Sequence, residues 1–191
     1  MTWVDRYGRH LRLEQARPFI RKGARVLDIG CGDGALFKAF DAVISTGVGI
    51  DPDARSTSGS RFQFIRGAYP EDMDDAAPPF DVVVGLAVLE HLTPSQQSAM
   101  ASASFDHLRP SGRLILTVPE PIVDPILRVI QRVGLGDPDG LHLHEHHGFE
   151  ACETPAIFKR AGFTLTARRR FELFLNNLFV FTKPAKPAKP G

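Results

Sequence analysis

The chain has little cysteine, two residues in 191, and one tryptophan. Cys31 and Cys152 are too few for a disulfide framework, which excludes a stapled extracellular scaffold and makes a reduced cytoplasmic setting the expectation. Charge of one sign is also lacking. With 23 Lys+Arg against 22 Asp+Glu the formal net charge is +1, so no global field draws the chain to nucleic acid or acidic lipid. No segment approaches the ~18 consecutive apolar residues of a membrane helix. The opening MTWVDRYGRHLRLEQARPFI carries charge throughout and has no apolar stretch of signal-peptide length. No sequence feature sets an oligomeric state.

What remains fits a globular chain, 43% hydrophobic, long enough for one sizeable core. A single domain is expected over residues 1–182. The low-complexity KPAKPAKPG, 183–191, is expected to be a disordered tail.

The pattern centres on Arg25 to Ala35, RVLDIGCGDGA. Val26, Leu27 and Ile29 form a short apolar run that suits a strand buried on both faces of a parallel sheet. Gly30, Gly32 and Gly34 follow, then the helix-forming ALFKAF. Strand, glycine loop, helix opens a nucleotide-binding α/β unit. Two cofactor classes compete for it. Gly30 to Ala35 satisfies the loose dinucleotide fingerprint, and D-x-G-x-G-x-G is satisfied from Asp28. A pyrophosphate at the loop disfavours acids there. Asp28 and Asp33 therefore favour a cationic ligand.

The stretch VLDIGCGDG closely resembles the first motif of class I S-adenosylmethionine-dependent methyltransferases. In that family the acid at the place of Asp28 lies near the methionine end, and glycines matching Gly30, Gly32 and Gly34, with Cys31 between, pass under the cofactor. The second strand, TGVGID, ends in Asp51 about twenty residues past the loop, where an acid meets ribose hydroxyls. GIDPDA resembles the second family motif, which places Asp51 and Pro52 at the cofactor. FDVVVGLAVLEHL resembles the fourth motif, with Leu86 and Ala87 beside the cofactor and Glu90 and His91 just beyond. The family's acid after the third strand is missing. Gly67-Ala68-Tyr69 stands there, leaving Ala68 and Tyr69 to offer backbone contacts and Glu71 or Asp72 to replace the acid.

The resemblance implies a Rossmann-like, seven-stranded, mostly parallel α/β sheet with an antiparallel last strand and helices on both faces. It implies S-adenosyl-L-methionine as cofactor and a small-molecule methyl acceptor. The motif lacks N-P-P-[YFW] and a Pro-Cys nucleophile, which argues against a nucleic-acid acceptor. An NAD-dependent oxidoreductase and a non-catalytic cofactor-binding protein are the alternatives.

The remaining elements are read from pattern. Trp3 to Arg21 is an amphipathic leader broken at Pro18 that either covers the cofactor or packs on the sheet edge. Thr93-Pro94 caps a helix reaching about His107. Leu108 to Gly112 is a turn before a fifth strand, Arg113 to Val118. Glu120 to Gly136 is an inserted helix. The last two strands form a hairpin through Asn176-Asn177. Four of the seven histidines fall within LHLHEHH, His142 to His147. They offer a base near neutral pH, a metal ligand set, or an ordinary polar loop. The H-E-x-x-H spacing is absent and no metal site is expected. His144 is the candidate proton acceptor, with His91 its rival.

Overall fold

The computed structural model describes residues 3–120, 150–173 and 175–185. Among them eight strands form one sheet in the order β3-β4-β2-β1-β5-β6-β8-β7. The strands are β1 Ala24–Ile29, β2 Ile44–Asp51, β3 Thr57–Ser58, β4 Phe62–Arg66, β5 Phe80–Leu86, β6 Leu108–Pro119, β7 Thr164–Phe171 and β8 Asn176–Thr182. The seven expected strands are present. The eighth is the two-residue β3, which pairs antiparallel to β4.

Strands β4, β2, β1, β5 and β6 run parallel, and β8 is antiparallel to both β6 and β7. Apolar runs such as Val82-Val83-Val84 are buried on both faces, as a covered parallel sheet requires. One face packs Leu13, Ala16, Leu36 and Phe37 of α1 (Trp3–Ala16) and α2 (Ala35–Ala39). The other packs Met100, Ala101 and Phe158 of α3 (Pro94–His107) and α4 (Thr154–Arg160). No helix among the described residues is long and apolar enough to cross a membrane.

Local chemistry explains the element ends. Thr93 and Gln96 form a reciprocal capping box at α3, with Pro94 in the first turn. At its other end Lys183 Nζ donates to the carbonyls of Phe105 (2.6 Å) and Leu108 (2.7 Å), so Lys183 belongs to the fold and not to a tail.

The hairpin turn is not Asn176-Asn177. Glu172 (φ 53°) and Leu173 (φ 54°) take the left-handed conformations, while both asparagines are buried in β8. Asn177 Nδ2 donates to Glu120 Oε1 at 2.8 Å, a long-range partner that outweighs the turn preference of Asn. The fifth strand begins earlier than Arg113: Leu108 already pairs with Phe80, and the register shifts before Arg113 pairs with Val82. The inserted helix beyond Glu120 and the histidines 142–147, including His144, lie outside the described residues.

Candidate active site

The parallel strands deliver their carboxyl ends to one edge, where an open α/β sheet binds ligands. Strand β1 ends at Ile29, and the chain turns at Gly30, whose N–H donates to the Ile50 carbonyl of β2 at 2.9 Å. Gly30 has φ 73°, and a Cβ there would meet Val88 Cγ2 at 2.5 Å. Gly32 also has positive φ, 49°, but a Cβ on it would meet nothing within 4 Å. Gly30 is thus a packing glycine, whereas Gly32 borders open space. Gly34, at φ 74°, abuts Phe64 and leads into α2.

Asp51 ends β2 and ties the loop down. Its Oδ2 accepts the Gly32 N–H (3.0 Å) and its Oδ1 accepts the Asp53 N–H (2.8 Å). Two bonds leave roughly two of a carboxylate's four lone-pair positions for other donors. Pro52 follows, exposed.

Asp28 lies one strand inward, 4% exposed and in register with Gly49 of β2 and Val84 of β5. Burial, and secondarily the charge of Asp51, push its carboxyl up to about 8. Asp28 therefore holds its proton at neutral pH in the ligand-free fold. Between its ordinary value and about 8 the native chain binds the proton and the unfolded chain does not. This part of the folding free energy is thus present at low pH and lost as pH rises toward 8. Urea unfolding of the ligand-free chain should show stability falling over that range, and Asp28→Asn should remove that component. A pH profile identical in the two chains would contradict the assignment.

Cys31 packs beneath Gly49, where a Cβ would stand 2.8 Å from its Sγ. Burial first, then Asp28 and Asp51, push its thiol up to about 12, so it is inert.

Asp33 differs from the sequence reading. It is exposed and paired with Arg9 of α1 (2.8 Å) and Lys38 of α2 (3.7 Å). Its charge is answered by the protein, and the negative charge at the strand ends rests on Asp51. The same pair places the leader: Arg9 bridges to the glycine loop while Leu13 and Ala16 pack in the core. The packing of Leu13 and Ala16 is the sheet-packing reading of the leader.

On the β5 side the chain bends at Ala87, φ 58°, an unusual conformation for a residue with a Cβ. Its N–H is held by the Thr117 carbonyl (3.0 Å) and hydroxyl (3.1 Å). Leu86 and Ala87 are half-buried at this bend. A short 3-10 turn, Leu89–His91, follows. Glu90 is buried, His91 is exposed, and His91 Nε2 lies 4.0 Å from Glu90 Oε1.

After β4 the sequence offers Ala68 and Tyr69. The Tyr69 ring is buried away from the loop, with its hydroxyl 2.9 Å from His107 Nδ1, so only its backbone faces the strand ends. The Ala68 N–H donates to Asp72 Oδ2 at 2.8 Å, and a Cβ on Gly67 would stand 2.5 Å from the Asp72 Cβ. Of the two replacement acids considered, Asp72 is the one turned back to the strand end. A cavity of about 620 Å3 opens beside the glycine loop, lined by Gly32, Asp33, Asp53, Arg55, Thr57 and Phe64. The last four have no assigned role in the sequence pattern. Thr57 and Phe64 reach the cavity as partners in the β3–β4 pairing, which no local pattern announces. Among the described residues no group of three or more His, Cys, Asp and Glu converges as a metal site.

Residues 3–168 match the family described as Methyltransferase domain. The chain belongs to the class I S-adenosylmethionine-dependent methyltransferase family. The dinucleotide reading of the glycine loop is thereby set aside. Among curated relatives, the chain is 28% identical over 148 residues to the mitochondrial ubiquinone biosynthesis O-methyltransferase of Mus musculus, covering 61% of this chain and 40% of that protein. It is 35% identical over 95 residues to the ubiquinone biosynthesis O-methyltransferase of Mesorhizobium japonicum, covering 46% of this chain and 36% of that one. The chain thus spans about 40% of the length of the curated relatives it matches.

Among solved structures, the fold is shared with 1,6-didemethyltoxoflavin-N1-methyltransferase from Burkholderia thailandensis, which holds 1,6-didemethyltoxoflavin and S-adenosylhomocysteine. The TM-score is 0.71 and identity 19%, covering 95% of this chain and 80% of that one. It is shared too with magnesium protoporphyrin IX methyltransferase from Synechocystis with bound S-adenosylhomocysteine, at TM-score 0.68 and 18% identity, covering 96% and 88%.

Proposed function

We propose that this chain transfers a methyl group from S-adenosylmethionine to an oxygen of a small molecule. The observation that carries the reading is Asp51, half-buried at the end of β2, with acceptor capacity left over beside the open space above Gly32. Those residues fit the cofactor. Two vicinal ribose hydroxyls match the remaining acceptor positions of one carboxylate. The buried Asp28 favours a nearby positive charge, because a cation stabilises its ionised form. Gly30, Cys31, Gly32 and Gly34 supply the floor, Pro52, Ala68 and the Tyr69 backbone the second-strand side, and Leu86, Ala87 and His91 the opposite wall. Arg9 of α1 ties the leader to the loop through Asp33. When bound, the cofactor supplies an electrophilic methyl group with a good leaving group already attached. The protein's part is alignment and exclusion of water, supplemented by a base where the acceptor is a weak acid.

Oxygen as the acceptor atom is supported by the curated relatives, both O-methyltransferases of ubiquinone biosynthesis. A small molecule in place of nucleic acid is supported by the absence of N-P-P-[YFW] after β5 and by the balanced charge. The test is methyl transfer from labelled S-adenosylmethionine to a panel of phenols, catechols and primary amines, with His91→Ala and His144→Ala run beside the parent chain. We expect labelled phenolic products. His144→Ala should reduce turnover about 10²-fold or more, the range of general-base contributions, while cofactor affinity is kept. Label on amines alone would refute oxygen transfer, and full turnover in His144→Ala would remove it as the base.

A further inference from the structure

The amino ends of β1, β5 and β6 enclose a second cavity, at the edge of the sheet opposite the glycine loop. Its volume is about 240 Å3, and Arg21, Lys22, Asp81, Arg109, Ser111 and Arg113 line it with Phe19, Gly23, Ala24 and Val82. Strand β1 separates the two edges by its six residues, about 20 Å at ~3.3 Å per residue. The cavity is therefore no part of the cofactor site.

Its charge is unbalanced in a chain that is balanced as a whole. Four of its lining residues are basic and one is acidic. The acid is already engaged. Asp81 Oδ1 accepts from Arg109 Nε at 2.7 Å, and its Oδ2 accepts the Arg25 N–H at 2.7 Å. Arg113 uses one nitrogen, Nη1, on the Phe19 carbonyl (3.2 Å) and keeps its other donors. Arg21 and Lys22 have no side-chain partner among the described residues and stand exposed on the facing lip. Taking Asp81 and Arg109 as a neutral pair leaves three positive charges around one concavity.

Concentrating like charges costs self-repulsion, which a bound anion relieves. Two guanidinium forks, Arg21 and Arg113, and the Lys22 ammonium suit a ligand with several oxyanion faces, since each Arg presents paired donors that match phosphate oxygens. A concavity of about 240 Å3 suits a small molecule. We propose that this cavity is a binding site for a small, freely diffusing, multivalent phosphate anion, of the size and charge of diphosphate. Arg21 and Lys22 of the lip hold it together with Arg113, and it binds independently of the cofactor.

The experiment is calorimetric titration of the full chain with inorganic pyrophosphate, at ionic strength held constant with sodium chloride. The chains compared are the parent, Arg21→Ala/Lys22→Ala, the single variant Lys22→Glu, and Lys159→Ala as a control for an exposed cation on α4. Circular dichroism confirms that each is folded. The expected result is saturable one-to-one binding to the parent and to Lys159→Ala. Affinity should fall about tenfold or more in the double variant and in Lys22→Glu, and saturating S-adenosylhomocysteine should leave it unchanged. Citrate should bind more weakly than pyrophosphate. The proposal is overturned if the parent shows no saturable heat, if both lip variants bind like the parent, or if S-adenosylhomocysteine displaces the anion.

Discussion

A Gly32→Val chain is expected to fold and to lose S-adenosylmethionine binding altogether. Gly32 is distinctive among the loop glycines because nothing of the protein lies within 4 Å of where its Cβ would stand. The substitution therefore creates no internal clash of the kind that Gly30 would suffer against Val88. Its local cost is the φ of 49°, which a β-branched residue resists by roughly 1–2 kcal/mol. That is within reach of a domain whose stability is of the order of 5–15 kcal/mol. The space the branch fills is the space the proposed cofactor occupies, so binding fails for steric reasons while the fold persists. Thermal unfolding should show a cooperative transition with no response to S-adenosylhomocysteine. A Gly32→Val chain that binds like its parent would place the cofactor elsewhere.

Asp51→Ala should weaken both S-adenosylmethionine and S-adenosylhomocysteine by roughly 10- to 150-fold, the equivalent of about 1.5–3 kcal/mol for hydrogen bonds to a charged group. Two losses combine in that figure. The ribose loses its bidentate acceptor, and the Gly32 and Asp53 N–H groups lose the carboxylate that fixes the loop. The size of the effect should be similar for the two ligands, because Asp51 acts on the ribose and not on the sulfur. Unchanged affinity by calorimetry would remove Asp51 from the site. Weakening of S-adenosylmethionine alone would mean that Asp51 acts on the sulfonium charge.

The features legible in the sequence are those written in consecutive residues. The buried strand before Gly30, the acid at the end of β2 and the apolar β5 follow from local pattern, and Thr93-Pro94 announces the start of α3. What was illegible depends on partners distant in the chain. Asp33 reads as an acid poised toward a ligand until Arg9, 24 residues earlier, is seen to neutralise it. Asn176-Asn177 has turn composition, yet Glu120, 57 residues away from Asn177, draws that side chain into the strand. Asp72 serves the strand end only because the chain doubles back onto Gly67. The basic cavity at the amino edge gathers residues from three separate segments, each unremarkable alone.

The most direct test of the account is the structure of the full chain crystallised with S-adenosylhomocysteine. The account predicts the cofactor product across the carboxyl ends of β1 and β2, with both ribose hydroxyls on the Asp51 carboxylate, the chain passing over Gly32, and the amino group on the Asp28 side. Cofactor density away from Asp51, or Gly32 left uncovered, would contradict it.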